Sequence, residues 1–129
     1  MKNTLCTFCK IVAEEEPAIY IHKEDDFIVF ENNLYWFPTQ LLLVPTTHMT
    51  QKELWNNKNL IAKISQYANK TGEKKCPGGY RILSNFGYDG MQTQPHAHVH
   101  LIGGVSLGLY MNGSPPKKQQ PYNNFVITI

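Results

Sequence analysis

The stretch Gln94-Pro95-His96-Ala97-His98-Val99-His100-Leu101-Ile102-Gly103-Gly104 decides the reading of this chain. Side chains on an extended strand alternate between its two faces. A strand over residues 96–102 therefore puts His96, His98 and His100 on one face. Ala97, Val99 and Leu101 fall on the other, which suits a core. Neighbouring same-face residues stand about 6.5–7 Å apart, so three imidazoles span about 13 Å. Three readings fit such a row. It is an exposed histidine-rich strand, a metal-binding row in which His98 and His100 ligate together, or a covalent catalyst whose imidazole attacks phosphorus. The purely apolar opposite face argues against the first. The motif holds no carboxylate to complete a metallohydrolase set, which argues against the second. A neutral imidazole is a competent nucleophile at pH 7 without a separate base, which favours the third.

Outward from this strand, the chain mixes two periods. Ala18 to His22 reads as a strand and Glu24-Asp25-Asp26 as a turn. Phe27-Ile28-Val29-Phe30 is β-branched and aromatic and reads as a buried strand. Asn32-Asn33 breaks it. Leu41-Leu42-Leu43-Val44 is a second buried strand, stopped by Pro45. From Gln51 to about Thr71, Leu54, Ile61, Ile64 and Ala68 recur at helical spacing, with Gly72 and the Lys74-Lys75-Cys76-Pro77-Gly78-Gly79 stretch as the expected stop. Tyr80 to Ser84 is a strand, Gly87 to Gly90 a loop, and residues from about 103 onward read as a loop-rich tail, with Phe125 to Ile129 as a terminal strand. No repeat or linker divides the 129 residues, so the expected unit is one domain over 1–129. Strands placed around one main helix, with a short helical turn at the N-terminus, predict an α+β fold with an antiparallel sheet of about five strands.

Composition narrows the function. The net charge is +2, and Arg81 is the only arginine. Duplex readout leans on bidentate arginine, so nucleic acid is an unfavoured partner. No apolar run reaches the 18 residues of a membrane span. The N-terminus lacks the apolar core of a signal peptide, which points to the cytosol. Cys6-x-x-Cys9 then reads as reduced thiols, a redox pair or two metal ligands, not as a disulfide. Cys76 has no partner in sequence, and His22 reads as a surface residue.

Taken in order, these motifs resemble those of the histidine-triad (HIT) family of nucleotide hydrolases and transferases. The resemblance runs from Cys6-Thr7-Phe8-Cys9-Lys10-Ile11 through Leu41-Leu-Leu-Val-Pro-Thr-Thr-His48 and Arg81-Ile-Leu-Ser-Asn85-Phe-Gly87 to Gln92-Thr93 and the triad itself. It implies a HIT-like fold and attack on the α-phosphate of a purine nucleotide conjugate. The enzyme would be a nucleoside phosphoramidase or a dinucleoside polyphosphate hydrolase. His98 would be the nucleophile in a covalent nucleotidyl-histidine route, with His96 and His100 as the flanking members. His100 and Gln92 would donate to phosphate oxygens, and Thr93 would sit at the leaving group. Asn85 would touch the phosphate or sugar. Phe8, Ile11 and Phe30 would flank the base, and Asn32 stands where relatives commonly carry a ribose-binding aspartate. Met91 stands where relatives commonly have glycine. Members that keep both cysteines bind structural zinc, which here implies Cys6, Cys9, His48 and His96 as ligands. The family also implies a homodimer; Tyr35-Trp36-Phe37 could stack on a base or line a dimer contact, and the interface is the preferred reading. A catalytically silent nucleotide- or zinc-binding regulatory module is the alternative.

Overall fold

The computed structural model describes residues 5–109. The expected terminal strand at Phe125 to Ile129 and most of the expected tail lie outside them. The elements run in the order α1 (Thr7–Val12), β1 (Tyr20–Lys23), β2 (Phe27–Glu31), β3 (Thr39–Pro45), α2 (Gln51–Trp55), α3 (Lys58–Lys75), β4 (Tyr80–Leu83) and β5 (Val99–Gly103). The strands form one five-stranded sheet in the order β1-β2-β3-β5-β4, and every neighbouring pair is antiparallel. The α+β antiparallel expectation holds.

β2 and β3 are continuous apolar runs because both faces of the sheet are covered. Phe27, Val29, Leu41 and Leu43 turn toward α3 and pack with Leu54, Leu60, Ile64 and Ala68. Ala97, Val99 and Leu101 join that core, as the alternation of the histidine stretch requires. Ile28, Phe30, Leu42 and Val44 turn the other way and pack with Cys6, Phe8, Cys9 and Ile11 of the N-terminal segment. Register carries this second face across the whole sheet: Tyr20 pairs with Phe30, Phe30 with Leu42, Leu42 with His100, and His100 with Leu83. One imidazole thus takes its place in an otherwise largely apolar cross-strand row.

Two expectations need correction. The helix over residues 51–71 is two helices. Thr50 and Glu53 form a reciprocal capping box that starts α2, and the Asn57 side chain accepts from Leu60 N at 3.1 Å to start α3. Asparagine competes well as a cap and poorly inside a helix, so Asn56-Asn57 punctuates the pattern. Gly72 does not end α3, which continues to Lys75. Its role is space: a Cβ there would stand 2.6 Å from the Tyr80 ring. Gly72→Ala should therefore destabilise the fold by about 1–3 kcal/mol through overpacking, although alanine is the better helix former. Urea denaturation checks this, and a stabilised variant would show that the ring moves aside freely.

Candidate functional site

β5 begins at Val99, not at His96, because the backbone just before it is paired elsewhere. Ala97 N donates to Met49 O at 2.8 Å, and His98 N donates to the Gln51 side-chain oxygen at 3.1 Å. The backbone bends at Pro95 and His96, yet the alternation survives: Ala97 packs with Val99 and Leu101 in the core under α3, while the rings of His96 and His98 face Phe8. His98 and His100 lie side by side with ring centroids 5.0 Å apart. Phe8 stands edge-on to both His98 and His96, at 5.2 and 6.0 Å.

Hydrogen bonds set the tautomers. His98 Nδ1 lies 2.8 Å from the His96 carbonyl, and a carbonyl only accepts. Nδ1 therefore carries the proton, and Nε2 carries the lone pair. His96 Nε2 lies 2.8 Å from the Pro45 carbonyl, so there the proton is on Nε2 and the bare nitrogen is Nδ1. Burial favours the neutral rings. It pushes His96 and His100 down to about 4 and lowers His98 as well; the carbonyl bond opposes the shift at His98.

His98 and His100 line a cleft of about 620 Å³ together with Phe8, Asn32, Asn85 and Thr93. A second basin of about 440 Å³ lies beside it and is lined by Phe8, Ile11, Phe30 and Tyr35. Phe8, Asn33, Leu42 and Gln94 belong to both, so the two form one continuous surface over the sheet. The expected base-flanking residues Phe8, Ile11 and Phe30 thus gather in one basin, and of the expected phosphate-side residues His98, His100, Asn85 and Thr93 gather in the other. Asn32 is buried, and its Oδ1 accepts from Leu34 N at 3.0 Å. Asn85 braces the following loop by donating to Gly90 O at 2.7 Å. Gln92 does not line the cleft: its oxygen accepts from Gly87 N and its amide nitrogen donates to Gln94 O, both at 2.9 Å. Met91 lines the cleft and holds a left-handed φ of 62°, a conformation glycine adopts at no steric cost.

His96, also expected to be catalytic, is fully buried and has both ring nitrogens engaged. Its Nδ1 lies 3.4 Å from Cys6 Sγ and 3.4 Å from Cys9 Sγ, while His48 Nδ1 lies 3.3 Å from Cys9 Sγ. The four ligand atoms all fall within 4.8 Å of one another. Tetrahedral zinc with bonds of 2.0–2.3 Å needs donor atoms about 3.3–3.8 Å apart. The set fits in chemistry as well as in spacing: two thiols, and a His96 nitrogen whose lone pair is bared by a second-shell carbonyl bond. The cluster is compatible with zinc.

Two supporting residues escaped the sequence reading. Gln51 is buried in the first turn of α2, where its oxygen takes His98 N and its nitrogen donates to Asn85 O at 3.2 Å. The signal was available, since Gln51 lies three residues before Leu54 on the buried face of the pattern. Ser84 donates to His98 O at 2.7 Å and holds the other backbone polar group of the same residue. Nothing in the sequence marks that serine. His22, expected at the surface, is partly covered: it stacks on Tyr67 at 4.4 Å and pairs with Glu24 at 2.6 Å.

Comparison with known proteins agrees with this geometry. The HIT domain family matches residues 13–107. An uncharacterized HIT-like protein of Rickettsia prowazekii is 30% identical over 120 residues, covering 87% of this chain and 98% of its own. A 14 kDa zinc-binding protein of Brassica juncea is 28% identical over 105 residues, covering 78% of this chain and 93% of its own. Among solved structures, a HIT family hydrolase from Clostridium thermocellum superposes with a TM-score of 0.78 at 30% identity, over 86% of this chain and all (100%) of that one. A histidine triad protein from Clostridium difficile gives a TM-score of 0.77 at 29% identity, over 86% and 100%. With its sheet order, its histidine row and these matches in agreement, the chain belongs to the HIT family.

Proposed function

We propose that this protein hydrolyses nucleotide conjugates at the α-phosphate through a covalent intermediate on His98. The observation that carries the reading is the 2.8 Å contact between His98 Nδ1 and the His96 carbonyl, from which the tautomer follows. The His98 Nδ1 proton is tied to that carbonyl, so the lone pair is on Nε2 of a ring that lines the cleft.

In the first half-reaction Nε2 attacks phosphorus and an Nε2–P bond forms. The P–N or P–O bond to the leaving group breaks, and the leaving atom takes the electron pair and a proton supplied from solvent. Thr93 lines the cleft and offers its hydroxyl to that atom. The imidazole gains positive charge as it bonds to phosphorus. The His96 carbonyl, already accepting from Nδ1, stabilises that charge without reorganisation. In the second half-reaction a water oxygen bonds to phosphorus and the Nε2–P bond breaks. The ring regains its lone pair, and the water gives up one proton. The nucleoside occupies the basin of Phe8, Ile11 and Phe30, with Asn32 toward the ribose and Asn85 and His100 toward the phosphate.

Cys6, Cys9, His48 and His96 would hold zinc, which supplies a structural tie between the N-terminal segment and the sheet. The name of the Brassica relative supports the same reading. His96 then acts as a support, and its carbonyl positions the nucleophile.

Rapid acid quench after mixing with an adenosine phosphoramidate, followed by intact mass spectrometry, should show one nucleotidyl addition mapping to His98. His98→Asn should remove the adduct and lower kcat by about 10³-fold or more while nucleotide binding stays within a few-fold. Tight nucleotide binding with neither adduct nor turnover would instead indicate a binding module. Elemental analysis should find about one zinc per chain. Chelation or Cys9→Ser should remove it and lower Tm by about 5–10 °C. A metal-free protein of unchanged Tm would overturn the zinc assignment.

A further inference from the structure

The histidine cleft is larger than the proposed chemistry at phosphorus requires, and its remaining wall is built in an unusual way. Trp36 lines that wall and is 70% exposed. Met91 lines the same cleft from the loop after Asn85 and is 75% exposed. Leu83, the cross-strand partner of His100, and Ile102, two residues beyond His100 on the same strand, also line it. Exposing a tryptophan to water forgoes substantial hydrophobic stabilisation. Yet the loop that carries Trp36 is pinned from below. The buried Gln40 oxygen accepts from Trp36 N at 2.6 Å and from Phe37 N at 3.2 Å, and Asn32 holds Leu34 N. A flat ring is therefore held at the cleft on a braced loop.

Charge selects what the ring meets. Among the described residues that line the cleft there is no lysine, arginine, aspartate or glutamate. A polyphosphate leaving group would bring several negative charges into a wall with no fixed cation to receive them. An uncharged aromatic group would meet tryptophan, methionine and aliphatic side chains that suit it.

Building on the hydrolase reading, we infer that Trp36 and Met91 form a leaving-group subsite that selects conjugates whose departing amine carries a planar, uncharged aryl group. The nucleoside fills the Phe8–Phe30 basin, the phosphate meets His98 and His100, and the aryl group stacks on Trp36. Trp36 is a specificity residue in this arrangement, and Met91 contributes a second apolar side chain to the lining of the same cleft.

The test compares three substrates on the purified full chain. The adenosine 5′-phosphoramidates of 2-phenylethylamine and 2-cyclohexylethylamine match in bulk and amine basicity and differ in the flat π face. Diadenosine tetraphosphate keeps a planar base but joins it through a charged chain. The phenylethyl conjugate should exceed the cyclohexylethyl conjugate about tenfold in kcat/KM, as base–aromatic stacking predicts, and should exceed diadenosine tetraphosphate by at least as much. Trp36→Leu should bring the phenylethyl-to-cyclohexylethyl ratio within about twofold of one, and Trp36→Phe should keep part of the preference. A wild-type ratio near one, or a ratio that survives in Trp36→Leu, overturns the stacking role. An altered sedimentation coefficient in Trp36→Leu with the ratio intact assigns the ring to a subunit contact and also overturns it. Preference for diadenosine tetraphosphate overturns selection for an uncharged group. Turnover of none of the three removes the hydrolase reading, and this subsite with it.

Discussion

The hydrogen bond from His98 Nδ1 to the His96 carbonyl, 2.8 Å long, is the constraint on which the site depends. It joins residues two apart in the segment that leads into β5, ahead of the ladder itself. Backbone groups that a sheet would have paired are taken instead by Met49, Gln51 and Ser84. The same segment sets the two rings oppositely. His96 gives its Nε2 proton to Pro45 and turns a bare Nδ1 to the thiols, while His98 gives up its Nδ1 proton and keeps a bare Nε2. Two histidines of one motif are thereby committed to different chemistry by which carbonyl each one meets.

The sheet makes this possible because its two faces are not equivalent. α3 covers one face with a dry aliphatic core. The N-terminal segment covers only part of the other, against Ile28, Phe30 and Val44, and leaves the surface over His100 and Leu83 open as the cleft. Phe8 stands at the boundary, touching the rings of Phe30, His96 and His98. The Cys6–Cys9 turn that places Phe8 is the same turn that gathers the thiols beside His48 and His96. The geometry of the Cys6, Cys9, His48 and His96 cluster and the shape of the cleft are therefore linked through α1.

Alternation made the faces of β2, β3 and β5 legible, because a one-residue error would have sent phenylalanines and leucines to water. The gathering of Cys6, Cys9, His48 and His96 followed from resemblance, and the fold does bring the four together. What escaped was set by competition between partners. Asn56-Asn57 divides a helix whose apolar period runs through unbroken, and Gly72 stays helical because Tyr80 needs its missing side chain. Gln92 carries the chemistry of a phosphate donor, yet both ends of its amide are engaged by its own loop. Trp36 lines the cleft, a placement that its aromatic neighbours in sequence do not announce. Such outcomes depend on which of several polar groups lies nearest in space, and periodicity carries no information about that.

The account stands on the protonation pattern of one ring. Long-range ¹H–¹⁵N correlation spectra of protein labelled with ¹⁵N in histidine, recorded at neutral pH, report which nitrogen of each imidazole carries its proton. For His98 the account predicts a protonated Nδ1 and a pyridine-type Nε2. A spectrum with the His98 proton on Nε2 would leave the proposed nucleophile without its lone pair and contradict the mechanism at its first step.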